Sequence, residues 1–123
     1  MTEQEQIQYL ANLCYLARAD GDVDRIEEKL LDEMARGIGA GYFEVRKAMD
    51  LSAQEGFTIT IPERWSDRVR TIEDMLLLAY IDKRLHHLEK ELILDYANKV
   101  GITDKQFKLI QKQTKERLKK VKK

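Results

Sequence analysis

Two stretches decide the fold: Ala19-Asp20-Gly21-Asp22-Val23-Asp24-Arg25-Ile26-Glu27 and Ile81-Asp82-Lys83-Arg84-Leu85-His86-His87-Leu88-Glu89. They lie 62 residues apart, and each reads as a turn that opens a helix. In the first, Asp24-Arg25-Ile26-Glu27 fits a capping box, with the aspartate at the N-cap and the glutamate at N3. Upstream, Ile7, Leu10, Ala11, Cys14 and Ala17 recur at steps of three and four, which predicts one helix face; Leu13 and Leu16 widen it. That helix should stop near Asp20-Gly21. Downstream, Ile26, Leu30, Met34 and Ile38 continue a second helix, which Gly39 and Gly41 end. A third is predicted over about 42–54, closed by Gly56.

The remainder of the chain repeats the scheme. Phe57-Thr58-Ile59-Thr60-Ile61-Pro62 alternates like a strand, but no second strand is legible. It is therefore predicted to be an extended connector with Ile59 and Ile61 tucked under helices and Pro62 in the first turn of the next helix. That helix should reach Ile81, with Ser66 as a candidate break. Another should run over 86–100, stopping at Gly101. Thr103-Asp104-Lys105-Gln106 is a second capping box, and it opens a last helix with the stripe Phe107, Ile110, Thr114, Leu118 and Val121.

Sliding the sequence by 62 residues lays Asp20 on Asp82, Glu27 on Glu89, Leu30 on Leu92 and Gly39 on Gly101. Val23, Ile26, Leu31, Met34, Ala35 and Ile38 meet Leu85, Leu88, Ile93, Tyr96, Ala97 and Val100, all apolar. An internal repeat of this kind sets the architecture before any single residue does. The expectation is one all-α domain over 1–123, a bundle of six or seven helices. It would consist of two similar helix-turn-helix-helix halves, about 7–54 and 69–116, related by pseudo-twofold symmetry, with a basic helix end over 114–123. The two acidic turns would then lie near one another.

Composition agrees. The 123 residues are 43% apolar and 36% charged, too apolar for a disordered chain and too charged for a membrane span. The longest apolar run, Met75 to Ile81, is far short of the roughly 18 residues a spanning helix requires. The acidic, amide-rich start, Met1 to Gln8, reads as neither a secretory signal nor a transit peptide. One cysteine permits no internal disulfide and points to a reduced, cytoplasmic setting. Net charge is zero but divided: nine bases against Glu116 give +8 from Lys105 onward, and 13 bases against 21 acids give −8 before it.

The first stretch resembles the "ADG-x-hydrophobic-x-x-x-E" signature of the TerB-like family, which includes tellurite-resistance proteins and a helical domain of a DnaJ-type co-chaperone. The second copy is similar and is followed by the family-like Val100-Gly101-Ile102-Thr103. The resemblance covers roughly Ile7 to Gln113. It implies an all-helical fold with two related halves, a cytoplasmic stress-response context, an acidic cluster suggested to bind a metal ion, and no catalytic activity. It carries over to Asp20, Gly21 and Glu27, and to Asp82 and Glu89. In the second copy Lys83 replaces the glycine and Arg84 a position that is often acidic or neutral.

Read from the residues alone, Asp20, Asp22 and Asp24 have EF-hand spacing, but Arg25 and Leu31 stand where that loop needs glycine and glutamate. A looser site for a divalent cation would use Asp20, Asp22, Asp24 and Glu27, because close carboxylates repel and a cation relieves the repulsion. Asp82, His86 and Glu89 form a second, mixed N/O candidate. Capping alone is the plainer account of Asp24 and Glu27, and solvation the plainer account of His86 and His87. Cys14 reads as a buried hydrophobe, and Trp65, Phe57 and Tyr42 as core or hinge packing. The basic tail reads first as a solvated or intramolecular face, ahead of nucleic-acid or anionic-membrane contact.

The expectation is therefore a non-enzymatic, stress-linked binding module holding a divalent metal ion and partnered by another protein, as monomer or homodimer. The alternative is a metal-free protein–protein adaptor using acidic and basic surfaces. A hydrolase is the remote third choice, because no nucleophile or oxyanion donor is recognisable.

Overall fold

The computed structural model describes residues 1–19, 21, 23–81 and 87–121. Among these residues there are six helices and no strands: α1 (Glu3–Ala17), α2 (Arg25–Gly37), α3 (Tyr42–Ser52), α4 (Trp65–Tyr80), α5 (His87–Lys99) and α6 (Asp104–Val121). The starts of α1, α2 and α3 precede those of α4, α5 and α6 by 62 residues each.

Helix ends follow local chemistry that recurs at the same interval. The Glu27 N–H donates to Asp24 Oδ1 at 2.8 Å, and the Asp24 N–H to Glu27 Oε1 at 3.4 Å, closing the expected capping box of α2. At α6 the Thr103 N–H donates to Gln106 Oε1 at 2.9 Å, and the Gln106 N–H to Thr103 Oγ1 at 3.2 Å. Gly39 and Gly101 follow α2 and α5 with φ of 81° and 84°. Beyond them the Ala40 N–H donates to the Ala35 carbonyl at 2.8 Å and the Ile102 N–H to the Ala97 carbonyl at 2.9 Å. This bond, six residues back to one, is the Schellman closure, and its left-handed residue favours glycine.

α1 packs on α3, α4 and α2; α4 packs on α6, α5 and α1. A second, lighter set of contacts joins α1 to α5 and α2 to α4. One apolar cluster draws on all six helices, with Leu10, Leu13, Leu16, Leu31, Ile72 and Ile93 among its fully enclosed members. The run Met75–Ala79 is buried throughout because α4 packs against α1, α5, α6 and, more lightly, α2, so its apolar residues need no single face.

Several expectations are corrected. α4 starts at Trp65, after Pro62 rather than around it, and runs through Ser66 without a break. The Arg68 side chain donates to the Pro62 carbonyl at 2.6 Å, fastening the connector to the first turn of α4. Ile59 packs on the core, but Ile61 is exposed. Ile26 is 56% exposed; the inward stripe of α2 is Glu27, Leu30, Leu31, Met34 and Ala35, so a carboxylate occupies the position the isoleucine was expected to hold. Trp65 and Tyr42 are 49% and 67% exposed and are not core residues. Phe57 is half-buried, with its ring centroid 5.3 Å from that of Tyr15.

The strand-like alternation of the connector also has a physical explanation. Asn12, wholly buried in α1, donates from Nδ2 to the Thr60 carbonyl at 2.8 Å and accepts the Thr60 N–H on Oδ1 at 3.0 Å. A side-chain amide thus bonds both backbone groups of an extended residue, as a neighbouring strand would.

Candidate functional site

Of the seven residues singled out, Asp24, Glu27 and Glu89 lie within the described residues; Asp20, Asp22, Asp82 and His86 lie outside them. Asp24 is exposed at the N-cap of α2 and joins Glu27 through the capping box. Glu27 is only 6% exposed, and Glu89, 62 residues on in the first turn of α5, only 2%. Keeping a carboxylate this far out of water costs several kcal/mol unless cations or hydrogen-bond donors surround it. The helix N-terminus supplies part of that compensation through its dipole.

Two clefts border described residues that flank the first inter-helix turn. One, of about 570 Å³, is walled by Arg18, Ala19, Ser52, Glu91, Leu92 and Asp95. Another, of about 420 Å³, includes Arg18, Gly21, Val23, Glu28 and Arg46. The donor set fits a hard divalent cation in kind, because its carboxylates supply oxygen ligands. Among the described residues no group of three or more His, Cys, Asp or Glu side chains is placed to hold an ion.

A second buried polar group escaped the reading of the sequence. Asp74 of α4 is buried and accepts the Tyr9 hydroxyl of α1, while the Arg117 guanidinium of α6 lies 3.9 Å away. Burial raises the Asp74 pKa above its usual 3.8; the Tyr9 hydrogen bond, Arg70 and Arg117 oppose the rise, and Glu73 adds to it. The Tyr9 phenol is also pushed up, by burial first and then by Asp74. A signal was present: the 62-residue slide lays Asn12, inside an apolar run of α1, on Asp74, at the edge of the apolar run Met75 to Ile81. Each joins its helix to a distant segment.

Cys14 is buried, and burial pushes its thiol up to about 12, the environment of an inert thiol rather than a nucleophile. On α6, Lys105, Lys108, Lys112, Lys115, Lys119 and Lys120 are exposed. Lys115 lies over the Tyr80 ring at 5.6 Å, and Gln111 donates to the Tyr80 hydroxyl at 3.0 Å. Part of the basic helix is thus spent within the molecule.

No protein-family model, curated protein or solved structure matches this chain. No helix among the described residues is long and apolar enough to cross a membrane.

Proposed function

We propose that this chain is a TerB-like, non-enzymatic binding module of the stress-response kind, formed by duplication of a three-helix unit and holding a divalent metal ion at its acidic inter-helix turns. The observation that carries the reading is the withdrawal of Glu27 and Glu89 from water at matching positions in α2 and α5. Duplication is supported by the common 62-residue offset of three helix starts and by the paired Schellman closures. Pseudo-twofold symmetry between the halves belongs to the same proposal. Asp20, Asp22, Asp24 and Glu27 would supply oxygens in the first half; Asp82, His86 and Glu89 would supply them, with an imidazole, in the second.

The test is thermal unfolding of chelator-treated protein, followed by helical circular dichroism, during titration with calcium, magnesium, manganese and zinc. An ion at about 100 times its Kd should add about 2.7 kcal/mol. Glu27→Gln with Glu89→Gln should remove the shift. No response to any ion overturns the metal reading.

The adaptor reading has its own support. Tyr42 and Phe43 stand side by side at the start of α3, and Phe43 is 73% exposed. Adjacent exposed aromatics are the kind of residue that anchors protein interfaces. Tyr42→Ala with Phe43→Ala should abolish capture of a protein partner while leaving any metal response intact.

A further inference from the structure

We propose that α6 presents a docking face for the phosphate backbone of a double-stranded nucleic acid. Lys105, Lys108, Lys112, Lys115 and Lys119 follow one another at steps of three, four, three and four, and all five are exposed. At about 100° and 1.5 Å per residue, that spacing sets them within an arc of about 80° along about 21 Å of helix. The opposite side of α6, Phe107, Ile110, Thr114 and Leu118, is turned toward the protein. Among the described residues no carboxylate forms an ion pair with Lys105, Lys108, Lys112 or Lys119. Lys115 rests over Tyr80 at the edge of the stripe, and Arg117, facing Asp74, lies off it.

A straight row of ammonium groups at intervals of about 5 Å complements a linear polyanion, where each lysine displaces a condensed counterion. Other anionic surfaces fit less well. A helix that lies on a membrane buries an apolar face there, whereas the apolar face of α6 is occupied by the protein core and Leu109 is its one large exposed apolar side chain among the described residues. Residues 1–104, carrying −8, would oppose approach to a broad anionic plane but far less to a narrow rod. A single strand would call for stacking aromatics, and the only aromatic residue of α6, Phe107, is partly buried against the core. Lysine point charges contact phosphates without reading bases, so the binding is independent of sequence.

Fluorescence anisotropy with short labelled DNA and RNA duplexes tests this, and both arms should bind because the phosphodiester chain is common to them. With five contacts the slope of log K on log salt should be about −4.5, a loss of roughly five-hundred-fold between about 50 and 200 mM salt. The variant Lys108→Gln/Lys112→Gln/Lys119→Gln should bind at least tenfold more weakly, with its slope reduced to between about −1 and −2. Its helical circular dichroism should be unchanged because all three side chains are exposed. Lys29→Gln, on α2, should bind like the parent. The proposal is overturned if no duplex binds at the lowest salt, or if the triple variant keeps the parent slope. Tighter binding to phosphatidylserine vesicles or to polyglutamate, at equal anion concentration, overturns it in favour of a membrane or an acidic protein.

Discussion

The side-chain amide of Asn12 holds both backbone groups of Thr60, 48 residues away, from a position wholly inside the bundle. The connector between the two sets of three helices is thereby registered against α1 by a single residue.

Asn12→Leu should accordingly strand the Thr60 N–H and carbonyl. The expected cost is about 1–3 kcal/mol, the penalty for unmet buried polar groups. It should appear as a lower urea midpoint with little change in slope. A midpoint equal to the parent would show that Thr60 finds replacement partners.

Asp74 gives a prediction with a definite sign in pH. Its pKa is raised on folding, so its favourable contribution is fully present below pH 3.8 and is lost as pH rises through the folded value. At neutral pH, Asp74→Asn should be at least as stable as the parent, because the amide oxygen still accepts from Tyr9 and no charge is buried. The advantage should shrink as pH falls toward 3.8. Asp74→Leu should instead cost about 1–3 kcal/mol at neutral pH by orphaning the Tyr9 hydroxyl. Melting curves of the three proteins across pH are the measurement.

Gly39→Ala and Gly101→Ala should destabilise by similar amounts, about 1–2 kcal/mol each, through the left-handed backbone they occupy. Neither position crowds an added methyl group: the nearest atom at Gly39 is Gln6 Nε2 at 3.5 Å, and Gly101 has open space. A much larger loss at either position, measured by urea unfolding, would require a cause other than backbone strain.

Cys14 should resist thiol reagents in the native protein at pH 8. Its thiolate is disfavoured by burial, and the sulfur is enclosed. Modification should proceed only as fast as the protein opens, and should become rapid in denaturant.

The helices were legible because capping boxes, glycine stops and three-four spacing are local signals; the boxes act at Asp24 and Thr103 and a stop at Gly39. The repeat extended that legibility: the pairing of Glu27 with Glu89 places each in a first helical turn. What periodicity missed was direction. Ile26 and Glu27 are adjacent, and hydrophobicity favoured turning the isoleucine inward, whereas the capped first turn carries the glutamate in. Asn12, inside an apolar run, and Asp74, at the edge of one, escaped for the related reason that a polar residue on a buried helix face declares its partner only in three dimensions. Asp20, Asp22, Asp82 and His86, the rest of the candidate site, fall outside the described residues. The basic tail was read by total charge, and the alignment of its lysines emerges only once α6 is seen to spend its other face on the core.

Trp65, the one tryptophan of the chain, stands half in water where the connector joins α4. Its indole already samples a polar environment in the native protein, so loss of the core by itself should shift intrinsic emission little. The same placement makes emission a reporter for a different event, detachment of the connector from Asn12 and Arg68. A fluorescence transition that precedes loss of helical ellipticity would time that detachment separately from collapse of the core.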